Sequence, residues 1–298
     1  MKDYKKVSAE DIAVFKERLL PLKPYASEYN AGSLVIWSME YGLEWKITHD
    51  RIIFRMQQDE HRIDFFIPDF GRDPEGLVQE LLAEGKAEGK KIQLCDFSED
   101  TAMDIMERMP GLFNMSYNRD QSDYIYNVDA LIRLPGKHYH EKKNHVNKFK
   151  RTYSNWEYKS LSAEDGEECL KLEQDWIDAQ AEVTPDMEYE MRGMKLAFRH
   201  WDELELFGGA ILVNGKMAGF TVGEWQTDNM TDTHFEKGAL DYDGIYQILN
   251  QQFSEHELGP RGAVYVNREE DMGIEGLRKS KESYKPDIIF HKYNLMQK

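Results

Sequence analysis

The chain has 298 residues, 41% hydrophobic, 12% aromatic and 31% charged, with a formal net charge of −17. This is a folded, soluble composition with material for two ordinary cores, and it excludes intrinsic disorder. The acidity argues against a general nucleic-acid or anionic-membrane surface, and no apolar run approaches the roughly 18 residues of a membrane span.

The first 20 residues, MKDYKKVSAEDIAVFKERLL, are charged throughout and lack the apolar run of a secretory signal. The two cysteines, Cys95 and Cys169, have no ligand-like neighbours, so buried thiols in a cytoplasmic protein are expected. A helix is predicted over 9–20, with Ser8 as N-cap and Asp11 completing a capping box. Strands follow at 33–39, 43–47, 51–56 and 62–67. Asp73-Pro74 opens a helix to about Glu88, then come a buried strand at 91–95, a helix at 99–109 and strands at 112–117 and 123–132.

Pro135-Gly136 punctuates the chain, and the expected division is a first domain over 1–135 and a second over 136–298. A basic linking helix at 137–153 opens the second, with Val146, Phe149 and Tyr153 three and four apart. A strand at 156–161 and helices at 163–181 and 186–202 come next, then strands at 208–213, 216–226 and 230–237, with an Asn214-Gly215 hairpin turn. Helix 243–257, strand 262–267, helix 274–284 and strand 287–295 complete the chain. The helix–strand–helix series starting near 74 recurs at near-constant offset from 243, which argues for two similar α/β domains in tandem.

Lys137 to Arg151, KHYHEKKNHVNKFKR, carries six Lys/Arg against one acid, Glu141. A locally positive site for a phosphate-bearing ligand and a solvated helix face both produce that pattern. His138, His140 and His145 lack zinc-helix spacing and a completing carboxylate, so no metal is expected. No nucleophile elbow, P-loop or dinucleotide fingerprint occurs.

The motifs LPGKHYHEKKNHVNKFKRTY (134–153), FEKGALDYDGIYQILNQQF (235–253) and YVNREEDMGIEGLRKSKESYKP (265–286) resemble the family of phosphatidylglycerol lysyltransferase C-terminal domains. The resemblance covers the second half and the linking helix. It implies an α/β (α+β) fold of two tandem GNAT-like N-acyltransferase domains, with mixed, mostly antiparallel sheets flanked by helices. In that fold the sheet splays between its fourth and fifth strands, and the acyl donor lies in the opening. The membrane lysyltransferases carry a long hydrophobic region that this chain lacks.

The resemblance implies an acyltransferase moving an acyl or aminoacyl group to an amine or hydroxyl. A coenzyme A thioester is the expected donor; aminoacyl-tRNA is the alternative, and a non-catalytic ligand-binding module is the reading from another class. Glu236 or Glu269 is the candidate base that takes the acceptor's proton, and Tyr284 the phenol that protonates the leaving group. Lys237, Gly238, Asp243, Gly244 and Ile245, at the loop and helix start, are candidate donor-binding residues, with the free helix amides facing a pyrophosphate. Asn267 and Arg268 after the fifth strand, and Arg278 and Lys281 on the last helix, join them. N-capping by Asp243, an Arg268-paired acid cluster and a core Tyr284 are the bland alternatives for the same residues.

Overall fold

The computed structural model describes residues 4–57, 59–71, 73–180 and 182–298. The first half contributes β1 (Lys5–Lys6), α1 (Ile12–Leu19), α2 (Ala31–Ile36), α3 (Ser38–Tyr41), β2 (Glu44–Thr48), β3 (Arg51–Gln57), β4 (Arg62–Phe66), α4 (Pro74–Ala87), β5 (Lys91–Phe97), α5 (Glu99–Arg108), β6 (Phe113–Tyr117), β7 (Asp123–Asn127) and α6 (Val128–Arg133). The second half contributes α7 (His140–Thr152), β8 (Trp156–Leu161), α8 (Gly166–Asp178), α9 (Pro185–Arg199), α10 (Trp201–Leu204), β9 (Phe207–Val213), β10 (Lys216–Trp225), β11 (Met230–Gly238), α11 (Ile245–Phe253), β12 (Tyr265–Asn267), α12 (Glu275–Ser283), β13 (Ile288–Phe290) and β14 (Tyr293–Gln297).

Local chemistry fixes many of these elements as expected. The Ser8–Asp11 capping box is formed ahead of α1, and Asp73 accepts from the Gly76 amide to start α4. Three expectations are corrected. Residues 33–39 belong to helices α2 and α3 with a bend at Trp37 between them, because Asn30 caps α2 through the Ser33 amide and Leu34, Val35 and Ile36 are buried between the two halves. The strand expected over 123–132 ends at Asn127, whose side chain caps α6 through the Ala130 amide. The strand expected over 287–295 is two strands, β13 and β14, in different sheets.

Each sheet has seven strands, in the orders β1-β2-β3-β4-β5-β14-β6 and β13-β7-β12-β11-β10-β9-β8. Read from the other end, the second order matches the first position by position. Both are antiparallel except at one central parallel pair, β4–β5 or β11–β12. The sixth position is exchanged: β14, the end of the chain, fills it in the first sheet, and β7 fills it in the second. Sheet membership therefore crosses the expected 135/136 division in both directions.

Helices α4 and α5 cover the outer face of the first sheet, and α6, α7 and α11 cover that of the second. The largest core lies between the halves, where Phe15, Leu34, Val35, Trp45 and Phe54 meet Met194, Phe198, Trp201, Phe220 and Phe235. Among the described residues no helix is long and apolar enough to cross a membrane. Cys95 and Cys169 are buried thiols pushed up mainly by desolvation, which makes them poor nucleophiles.

Candidate active site

Strand β11 is nine residues long, yet β12 pairs with it only at Met230, Thr231 and Asp232. Beyond Asp232 it is held by β10 alone, while the chain after Asn267 turns away through Glu269 in the left-handed region, at φ 55°. The corresponding pair in the first sheet stays closed, since β4 pairs with β5 along its whole length. One sheet is open between its central strands and the other is not. Two contacts span the opening: Arg268 Nη2 donates to Glu236 Oε1 at 2.7 Å, and His234 Nδ1 to Glu269 Oε1 at 3.2 Å.

The His234 contact lies on the face turned to the first half. The β10–β11 register slips by one residue, Val222 facing Phe235 and Gly223 facing Thr233, so His234 is the extra residue of a bulge. Its Nε2 donates to Glu224 Oε1 at 3.1 Å, and the same oxygen accepts the Gly32 amide at 2.7 Å. A side chain at Gly32 would put a Cβ 2.4 Å from that oxygen, so glycine is what lets α2 approach. Burial alone disfavours the charged imidazolium, but Glu224 and Glu269 outweigh it and hold His234 well above its ordinary pKa. Desolvation raises the Glu269 carboxyl, and His234 only partly offsets it. Asp232, bonded to Asn30 Nδ2 at 2.7 Å, is also raised by burial and by the charge of Glu269. Asp232, His234 and Glu269 are the acid–histidine group among the described residues whose donor atoms lie within 4.8 Å of one another. Both ring nitrogens of His234 are engaged by carboxyl groups, Nδ1 by Glu269 and Nε2 by Glu224.

The Arg268 contact lies on the opposite face, under α7 and α11. The Arg268 guanidinium sits 5.8 Å and 5.4 Å from the ring centroids of Tyr126 and Tyr284, and its Nη1 is buried without a partner. The Tyr284 hydroxyl is also buried and unpartnered. Lys142 turns inward from α7, its ammonium 4.4 Å from the Tyr284 ring centroid. The ammonium of Lys281 donates to the carbonyls of Arg268, Glu269 (3.0 Å) and Glu270 (2.6 Å), which fixes the loop that carries both spanning residues. Burial, then the nearby Arg268 charge, push Lys281 down to about 8.

Of the expected residues, Glu236, Arg268, Tyr284, Lys281 and Glu269 thus gather around the opening. The others do not reach it. Lys237 is buried against Glu190 (2.7 Å) and Glu173 (3.3 Å), over the Trp176 ring. Asn267 donates to the Tyr25 carbonyl and to Asp123. Arg278 pairs with Asp271 and Asp120; burial opposes ionisation of Asp271, but Arg278 and the Tyr124 hydroxyl win and bring it down to about 2. Gly238 packs against Ile245, leaving no room for a Cβ.

The helix start at Asp243–Ile245 is partly engaged. The Asp243 amide donates to Tyr153 Oη at 3.2 Å, the Ile245 amide to the Tyr242 carbonyl at 3.2 Å, and the Asp243 carboxylate accepts from Lys148 at 2.5 Å. Gly244 faces the His145 carbonyl and Phe149 of α7. Among the remaining basic-tract residues, Lys137, His138, His140, Lys143 and Arg151 are exposed. A separate open depression of about 740 Å³, lined by residues such as His61, Lys86, Lys90 and Lys91, holds none of the expected site residues.

His234, Glu224 and Lys142 were not singled out from the sequence. His234 depends on a one-residue bulge that leaves no mark in the alternation pattern, and Glu224 on an approach by a segment far away in the chain. Lys142 had a signal: it is the cation on the inner side of α7, one turn from Val146.

The family model described as phosphatidylglycerol lysyltransferase, C-terminal, matches residues 20–296. No curated protein matches the sequence. Among solved structures, a conserved protein of unknown function from Bacteroides thetaiotaomicron is similar at 28% identity and TM-score 0.93, over 100% of both chains. L-PGS from Bacillus licheniformis superposes at TM-score 0.69 and 13% identity, over 99% of this chain and 93% of that one. A tandem GNAT protein from the clavulanic acid biosynthesis pathway does so at TM-score 0.54 and 8% identity, over 99% and 98%. At these low identities the last two establish the shared fold, two GNAT-like units in tandem.

Proposed function

The chain belongs to the phosphatidylglycerol lysyltransferase C-terminal family, and from that premise we propose that it transfers an acyl or aminoacyl group to an amine or hydroxyl acceptor. The observation that carries the reading is the opening between β11 and β12, with an acid–imidazolium–acid relay on one side and unpaired cationic donors on the other. Attack on an ester or thioester needs a base for the acceptor's proton, worth about 10²- to 10⁴-fold. Glu269 suits that role better than Glu236, because burial raises its pKa and its side chain keeps some exposure at the opening. Glu236 instead holds Arg268. Tyr284 belongs to the opposite face from Glu269, which favours a binding role over protonation of the leaving group.

For the donor, an aminoacyl ester at an RNA 3′ end has the better support. The cations of α7 line its outer surface, and Lys142 on the same helix reaches the opening from inside. The coenzyme A thioester is the second donor to test, since two of the amides at the α11 start, those of Asp243 and Ile245, are already bonded.

The test is transfer of labelled acyl groups from aminoacyl-tRNA and from acetyl-coenzyme A to a panel of amines and alcohols. Wild-type protein should consume one donor faster than buffer does, and Glu269→Gln should slow it about 10²-fold or more without weakening donor binding. The wild-type rate should rise with pH through the raised carboxyl pKa of Glu269, and that limb should vanish in Glu269→Gln. Donor loss at the buffer rate for both classes would end the enzyme reading and leave the binding module.

A further inference from the structure

We propose that Arg268 Nη1, the Tyr284 hydroxyl and Lys142 Nζ form a binding site for one singly charged oxyanion, a phosphodiester or a carboxylate. As an assignment of substrate chemistry this rests on the transferase reading; as a binding site it does not.

Three donors stand unused around one aromatic ring. Arg268 spends Nη2 on Glu236 and leaves Nη1 buried with nothing to bond. Tyr284 is 3% exposed, and its hydroxyl has no partner. Buried phenols normally find one. Its neighbours do: Tyr126 donates to the Lys281 carbonyl at 2.9 Å and Tyr139 to the Tyr284 carbonyl at 2.7 Å.

Lys142 makes the same point with charge. Five lysines are buried in the described chain: Lys46, Lys142, Lys237, Lys281 and Lys292. Lys46, Lys237 and Lys292 each meet two or more carboxylates, and Lys281 meets three carbonyls. Among the described residues Lys142 has no anionic partner, only the face of Tyr284, and burial depresses its pKa. Unlike Arg268 Nη1 and the Tyr284 hydroxyl, Lys142 Nζ is not sealed from solvent, so an anion arriving from solution can meet it.

Counting charge selects the ligand. Inside the site Arg268 and Lys142 bring two positive charges against the one carboxylate of Glu236, with Glu141 acting on Lys142 only from the exposed face of α7, so an anion of low charge is favoured. A phosphate monoester dianion would overshoot, whereas a phosphodiester or carboxylate matches and offers the acceptor oxygens that three donors need. The site opens to solvent through Arg268 and Glu236, whose side chains keep 11% and 15% of their surface.

The experiment is a titration of the full chain with sodium dimethyl phosphate and sodium acetate, each matched for ionic strength with sodium chloride, read by thermal unfolding and calorimetry. Wild type, Tyr284→Phe and Lys142→Met are compared. Tyr284→Phe removes a hydroxyl that bonds nothing, so its ligand-free midpoint should equal or exceed that of wild type, which separates binding from folding. We expect a saturable response above chloride in wild type, weakened about five- to tenfold in Tyr284→Phe, and lost in Lys142→Met. A response to dimethyl phosphate alone identifies a phosphodiester site, and to acetate alone a carboxylate site; a response to both still supports the shared site. Equal responses in all three proteins, or none beyond chloride, overturns it. Binding without any transfer would keep the site and remove the transferase reading; transfer indifferent to both variants would keep the transferase reading and remove the assignment of the site to substrate.

Discussion

Glu173 isolates the cost of burying a charge in this protein. It is fully buried on α8 beside Lys237, and desolvation, opposed by Lys237 and reinforced by Glu190, pushes its pKa up to about 7. A raised carboxyl stabilises the fold while protonated, so its contribution is complete below its unfolded value of about 4.5 and is lost as pH rises through about 7. Glu173→Gln fixes the neutral form. Its stability relative to wild type should therefore climb between pH 5 and pH 8, by on the order of 2–3 kcal/mol. Urea unfolding at those two pH values reads the difference, and a gap that does not change with pH would refute the assignment. The same scale explains what the sequence could and could not reveal. Glu236, Glu269, Arg268 and Tyr284 were legible because each ends a strand or helix beside the opening that the fold resemblance implied. That Glu269 faces His234 while its neighbour Arg268 faces Glu236 was not, since opposite faces are set by one left-handed residue and one bulge.

At the level of elements, most strands and helices followed from alternation, caps and Gly/Pro punctuation, and the largest failure has a cause in burial. Residues 33–39 have the β-branched, apolar run of a strand, but the segment is buried on several sides between the halves, and helix α2 meets that demand while Asn30 and Glu224 take its first amides. The helix most exposed to test is α12. Its Lys281 holds three carbonyls of the loop that carries Arg268 and Glu269, so the helix acts as a clamp on the opening. Lys281→Met should leave those carbonyls unpaired, lower stability by about 1–3 kcal/mol and cut turnover more than tenfold. Hydrogen exchange should quicken at 267–273 more than elsewhere. In wild type the clamp loses its charge above about pH 8, so activity should fall on that alkaline side and the fall should be absent in the variant. Uniform exchange rates across the chain would mean that Lys281 merely fills space.

The whole molecule is organised by the exchange of its sixth strands, which no reading of periodicity could supply, because β7 and β14 look alike whichever sheet receives them. The two crossings lie side by side. The chain leaves the first sheet at Ser122–Asp123 and re-enters it at His291–Lys292; Ser122 Oγ is 2.9 Å from His291 Nδ1, and Lys292 Nζ is 2.8 Å from Asp123. Lys292 and Asp123 are both fully buried, and Lys292 also pairs with Glu28 and Glu270. Burial alone would lower the lysine's pKa, but these acids hold it well above the usual range. Removing one member of such a group strands the rest, so Lys292→Met should cost about 3–5 kcal/mol, read by chemical unfolding. The exchange makes a stronger claim about independence. A fragment of residues 1–135 keeps β7 but lacks β14, the strand between β5 and β6, and a fragment of residues 136–298 lacks β7, the strand between β12 and β13. Each would expose an unfilled slot in the middle of a sheet and half of the central core. Neither fragment alone should unfold cooperatively, whereas mixing or co-expressing the two should restore a single transition and whatever activity the intact chain has. A cooperative transition from either fragment by itself would show that the crossing strands decorate two self-sufficient domains instead of joining them into one folding unit.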